Sequence, residues 1–149
     1  MLLAARFQGF ARSLHAQTAD AIAQGAHNAR YRVLLGASLT RSIELSRVNA
    51  QPGSIAKDFE RFGVDIWEAM ARKRRDNVKR RRKLQALIAW RNAIAHDDIE
   101  RRRNTGGLEP STINLQTCRS WRSAANVLAT LLDEVAADHC ETLGLPRPW

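Results

Sequence analysis

The run Arg91-Asn92-Ala93-Ile94-Ala95-His96 places three side chains suited to phosphate and proton chemistry within six residues. Arginine carries a fixed charge and a planar fork of donors that fits phosphate oxygens. Histidine takes up and releases a proton near neutral pH. The arginine is an anomaly, because Leu84, Leu87, Ile88, Ile94 and Ala95 mark an apolar stripe and Arg91 falls inside it. At about 100° per residue it lies roughly 20° from Leu84 around the helix axis. A charge on such a face is expensive to bury unless it is paired. Three readings are open: Arg91 pairs with a buried acid such as Glu44 or Glu134, it snorkels to the edge, or the face lines a pocket that receives an anion.

His96 lies about 140° from Arg91 on a straight helix, so the two do not share a face. Asn92 and His96 do, and this i, i+4 spacing lets the amide orient the imidazole. The helix C-terminus and the carboxylates of Asp97 and Asp98 favour the charged imidazole. Taken alone, His96 reads as a surface residue at a helix end. His15, His27 and His139 are isolated in sequence, and His139 reads as a core or interface residue.

Helices must position these groups. No alternating β-branched or aromatic run, internal repeat or low-complexity tract interrupts the chain. The first helix is expected from about Leu2 to Ala26. Its start, Met1 to Leu14, is apolar with arginines and no acid, which weakly suggests a transit peptide. Yet Leu3, Phe7, Phe10 and Leu14 have the spacing of a core-facing helix. A second helix carries Tyr31, Leu34, Leu35, Ser38, Leu39, Ser42 and Leu45, and stops before the turn at residues 49–53. Ser54 is expected to cap a short helix with Ile55, Phe59 and Phe62, closed by Gly63. Val64, Ile66, Trp67 and Met70 begin the next segment. Asp76-Asn77 offers an N-cap for a long helix from Val78 to about Ala95, and whether 64–95 is one bent helix or two stays open. After a loop at residues 104–110, Asn114 can cap a last helix with Cys118, Trp121, Ala125, Leu128, Leu132, Val135 and His139 on one face. Residues 144–149 form an irregular C-terminal tail. The expected fold is all-α, a single domain over 1–149 with four to five main helices.

The 149 residues, 44% hydrophobic and 26% charged, have the balance of a folded globular chain with a real core. No apolar run is long enough to cross a bilayer. Cys118 and Cys140 have neither disulfide-framework nor zinc-site spacing, so a reducing cytoplasm is the expected home and no metal or other cofactor is expected. The net charge of +9 is concentrated. Between Arg72 and Arg103 there are 13 Lys or Arg against 4 acids, and the rest of the chain balances to zero. Arg72, Lys73, Arg74 and Arg75, then Lys79, Arg80, Arg81, Arg82 and Lys83, and finally Arg101, Arg102 and Arg103 are candidate RNA-binding residues, since such a segment neutralises phosphates without reading sequence. Composition alone also allows a solvated helix face, or another polyanion such as an anionic lipid surface.

The motif Arg91-Asn92-(three residues)-His96, at the end of a long helix in an all-helical chain, resembles the signature of the HEPN family. Further segments resemble its RiboL-PSP-HEPN-like group: Arg6 to His15, Phe62-Gly63 to Trp67, Trp90 to His96, Arg119-Ser120-Trp121-Arg122 and Pro148-Trp149. The resemblance implies a helical bundle that forms a homodimer, with two motif helices meeting across the two-fold axis in a composite site. It implies a metal-independent endoribonuclease, with His96 as general base or acid, Arg91 on the scissile phosphate and Asn92 orienting or binding. The 2′-hydroxyl would attack and leave a 2′,3′-cyclic phosphate. A toxin, defence or stress role follows by the same resemblance, with an antitoxin or regulatory protein as a partner. Some HEPN toxins carry a regulatory tyrosine two residues after the histidine, where this chain has Asp98. The rival readings are a HEPN module that binds nucleotide or RNA without cutting, and a helical protein-interaction adaptor.

Overall fold

The apolar periodicity at the two ends of the chain produces its two longest helices. The computed structural model describes residues 2–149, and Met1, where the transit-peptide reading begins, lies outside them. Eight α-helices and no strand occur among the described residues: α1 Leu2–Gln24, α2 Ala29–Thr40, α3 Glu44–Arg47, α4 Pro52–Glu60, α5 Ile66–Lys73, α6 Asn77–Ala95, α7 Ile99–Asn104 and α8 Leu115–Thr142. The fold is therefore all-α, as expected. Helix α1 buries Phe7, Ala11 and Leu14, and α8 buries Trp121, Ala125, Leu128, Leu132 and Val135. These faces meet each other and α6, which adds Leu84, Leu87 and Ile88 to one continuous core. Each large side chain so buried stabilises the fold by roughly 1.5–3 kcal/mol. No helix among the described residues is long and apolar enough to cross a membrane.

Local capping explains several boundaries. The Asn114 carboxamide oxygen accepts the Thr117 amide at 2.8 Å and starts α8, as its sequence position suggests. The stretch 64–95 resolves into two helices. Asn77, rather than Asp76, makes the junction: its buried side chain donates to the Met70 carbonyl at 2.7 Å and accepts from Arg80 at 2.9 Å. Asp76 makes no side-chain cap bond. Helix α4 begins at Pro52, with Gln51 and not Ser54 in the capping position, because proline's fixed φ suits the first helical turn.

The second helix departs most from its expected form. It ends at Thr40, and Tyr31 and Leu34 are 66% and 65% exposed rather than core-facing. Two residues at the end of α4 cause the break. Arg61 donates to the carbonyls of Arg41 at 2.7 Å and of Ser38 and Ser42 at 3.3 Å, satisfying one carbonyl in the last turn of α2 and two just past its end. Asp58 then accepts the amides of Glu44 at 2.8 Å and Leu45 at 2.7 Å and starts α3. Leu45 reaches the core through α3, not through α2.

His15 is fully buried between Phe59 and Phe62 rather than isolated. Its Nε2 donates to the Asp58 carbonyl at 3.2 Å, and its Nδ1 has no partner. Burial pushes its pKa below 6.5, outweighing the Asp58 hydrogen bond and charge, which raise it, while Arg61 adds to the lowering. Below pH 6.5 the unfolded chain therefore takes up a proton that the folded one refuses. Stability falls as pH falls, by up to about 1.4 kcal/mol per pH unit, until the lowered folded pKa is reached. Urea midpoints measured between pH 7.5 and 5 should show this slope, and His15→Gln should flatten it. An equal slope in the variant would assign the effect to other groups.

Candidate functional site

The motif occupies the last turn of α6 and its exit. Trp90 anchors this end: it is 3% exposed, and its Nε1 donates to the Pro110 carbonyl at 2.9 Å. Arg91 and Asn92 are half-buried, while His96 is exposed at the C-cap. The helix ends in a Schellman arrangement, with Asp98 N donating to Ala93 O at 2.9 Å and Asp97 N to Ile94 O at 3.5 Å. Asp97 occupies the left-handed position, with φ 52°, where glycine is usual. Asp97→Gly should relieve that strain and raise stability by about 0.5 kcal/mol after its extra unfolded-state entropy is subtracted. A midpoint for the variant at or below wild type would show that the aspartate is not strained there.

Arg91 pairs with neither acid that its position suggested. Glu44 lies 3.9 Å from Lys57, and Glu134 lies 3.8 Å from Lys73. Arg91 instead donates to the Asn92 Oδ1 at 3.1 Å, and Asn49 Nδ2 donates to the same oxygen at 2.7 Å. Among the described residues no carboxylate pairs with this guanidinium. A half-buried cation with one neutral acceptor keeps most of its five donors for another partner. The expectation that Asn92 orients His96 is not met: no side-chain hydrogen bond joins them, and the Asn92 oxygen is occupied by Asn49 and Arg91. Asn92 positions the arginine. Asn49, read from sequence only as part of a turn, is the member of this cluster that spacing could not reveal, because it comes from the α3–α4 connection 43 residues away.

The twelve candidate RNA-binding cations separate into two sets. Arg72 pairs with Glu68 at 2.6 Å, Lys73 with Asp138 at 2.6 Å, Arg102 with Asp98 at 2.9 Å and Arg103 with Glu100 at 3.0 Å. Arg101 lies 3.7 Å from Asp98. Lys73 in turn holds the Asp138 carboxyl below its usual pKa. Arg74, Arg75, Lys79, Arg80, Arg81, Arg82 and Lys83 have no carboxylate partner among the described residues. Arg80 meets Asn77, and Arg81 stacks 5.0 Å above the Trp67 ring. The unneutralised charge thus lies at the start of α6, and the motif lies at its end. Between His96 and the α7 arginines, Asp98 is committed to Arg101 and Arg102.

His139 donates from Nε2 to the Phe62 carbonyl at 2.8 Å and is half-buried, tying α8 to the end of α4. Among the described residues no three of His, Cys, Asp and Glu gather closely enough to hold a metal ion. The class that fold and site define is an all-helical protein whose basic helix ends in a supported arginine–asparagine pair beside an exposed histidine. No family model matches the chain, and neither a curated protein nor a solved structure matches it.

Proposed function

We propose that the chain is a HEPN-type, metal-independent endoribonuclease of the cytoplasm, with a toxin, defence or stress role. The observation that carries the reading is the half-buried Arg91, held by Asn92 and Asn49 without a neutralising carboxylate, on the same short segment as an exposed histidine. Arg91 binds the scissile phosphate and stabilises the charge that builds up on it. His96 takes the proton of the ribose 2′-hydroxyl as the oxygen attacks phosphorus. The P–O5′ bond then breaks, leaving a 2′,3′-cyclic phosphate on one fragment and a 5′-hydroxyl on the other, with a protonated imidazole supplying the leaving oxygen's proton. RNA provides its own nucleophile, so the residues named here suffice for the scheme. Arg91 and His96 diverge around one helix, and a homodimer that brings two motif segments together resolves that divergence. The unpaired cations from Arg74 to Lys83 hold the flanking backbone. An antitoxin or other regulatory protein would cover this surface.

The test is incubation of the full chain with mixed RNA in EDTA, followed by analysis of fragment ends. Cyclic phosphates and 5′-hydroxyls are expected, with a dimeric mass in solution. Intact RNA in the presence of folded dimer would overturn catalysis and leave a binding module.

A further inference from the structure

A groove of about 540 Å³ opens between α6 and the first turns of α8, on the side closed by the 109–114 loop. Its cationic wall is Arg82 and Lys83, neither of which has a carboxylate partner among the described residues. Its apolar wall is Pro110 and the small exposed part of the otherwise buried Trp121, and Glu109 and Gln116 also line it. The groove is shallow and open, which with its mixture of cations and apolar surface suits a segment of an extended strand laid across it rather than an enclosed small molecule. Two cations supply a phosphate site. Pro110 and the exposed edge of Trp121, with Gln116 and Glu109 as neighbours, suit a heterocyclic base with both donors and acceptors on its edge.

The groove is also tied to the motif. The Pro110 carbonyl is fixed by Trp90, the residue before Arg91, and Arg103 lies 5.9 Å over the Trp90 ring. Ala86 in the groove is five residues before Arg91, about 7.5 Å along the helix axis and about 140° around it, so a strand that reaches both passes round α6. We infer that this groove is a nucleoside-phosphate subsite that takes one nucleotide of a single-stranded RNA, its phosphate on Arg82 and Lys83 and its base against Pro110 and Trp121. The inference extends the ribonuclease reading from the reacting phosphate to a second nucleotide on the same strand.

The experiment uses the full chain and a short single-stranded RNA that carries 4-thiouridine and 2′-O-methyl riboses, which block cleavage. After irradiation, the crosslinked peptides are mapped by mass spectrometry. Crosslinks within residues 109–121 are expected. Their yield should fall at least about fivefold in Arg82→Ala/Lys83→Ala and much less in Arg30→Ala/Arg47→Ala, which removes the same charge elsewhere. Excess uridine monophosphate removes the crosslink if the free nucleotide is the ligand, and leaves it if the strand is. Crosslinks confined to other residues, no crosslink at all, or equal loss in both double variants would overturn the subsite. Unmodified RNA, assayed in parallel, reports cleavage independently. A groove crosslink without cleavage would therefore sink the nuclease and not the subsite, whereas cleavage without a groove crosslink would do the reverse.

Discussion

Replacing His96 by alanine is expected to slow RNA cleavage by about 10³-fold, the usual contribution of a positioned general acid–base group. The variant is a clean probe because the imidazole is exposed and makes no hydrogen bond among the described residues. Its loss should change stability by less than about 0.5 kcal/mol. Helicity, dimer mass and salt-dependent RNA affinity should all be retained while cyclic-phosphate product disappears. Arg91→Lys tests the other half of the site, since it keeps the charge and loses the fork that meets two phosphate oxygens. A composite site further predicts that mixing His96→Ala with Arg91→Ala dimers restores some activity, because each mixed dimer retains one histidine and one arginine. Wild-type rates in His96→Ala would remove the histidine from the mechanism and, with it, most of the argument for a HEPN-type reaction.

The long elements of this fold were legible because each writes its buried face into one continuous stretch. Phe7, Ala11 and Leu14 in α1, and Trp121 to Val135 in α8, need no knowledge of any other segment to be recognised as core. Arg91 was legible for the same reason, as a charge within such a stripe. Decisions made by distant side chains were not legible. The α2 stripe continues smoothly through Leu39 and Ser42 to Leu45, yet Arg61 and Asp58 end one helix and begin another within it. Among the charged residues, Arg72 and Arg101 to Arg103 meet Glu68, Asp98 and Glu100 only three or four residues away, pairs that helical spacing offers, whereas the α8 carboxylates that take Lys73 out of the unneutralised set are not visible from its own segment. Lys73 is the clearest case, because its partners are 61 and 65 residues away on α8.

Asp58 links the stability of the fold to the site. It sits on the apolar face of α4 beside Ile55 and Phe59, 1% exposed, and each carboxylate oxygen accepts one α3 amide. Removing it leaves one buried and one half-buried donor without an acceptor and forfeits two charge-assisted bonds. Asp58→Ala should therefore destabilise the protein by about 3 kcal/mol, lowering the thermal midpoint by roughly 6–12 °C for a chain of this size. Asp58→Asn keeps one acceptor and should lose about half as much. The effect should also reach the motif. Helix α3 is held at its start by Asp58 and at its end by Arg12, which donates to the Leu45 carbonyl, and by Gln8, which donates to Val48 O at 3.3 Å. The next residue, Asn49, bears on Asn92 and so on Arg91. At a temperature where Asp58→Asn is still folded, the loosened connection should slow RNA cleavage more than it weakens RNA binding, because the unpaired cations of α6 are untouched. A midpoint within about 2 °C of wild type for Asp58→Ala, on a scale where 1 kcal/mol moves it 2–4 °C, would show that these two bonds do not hold α3. An Asp58→Asn variant with full cleavage activity would show that α3 does not position the arginine.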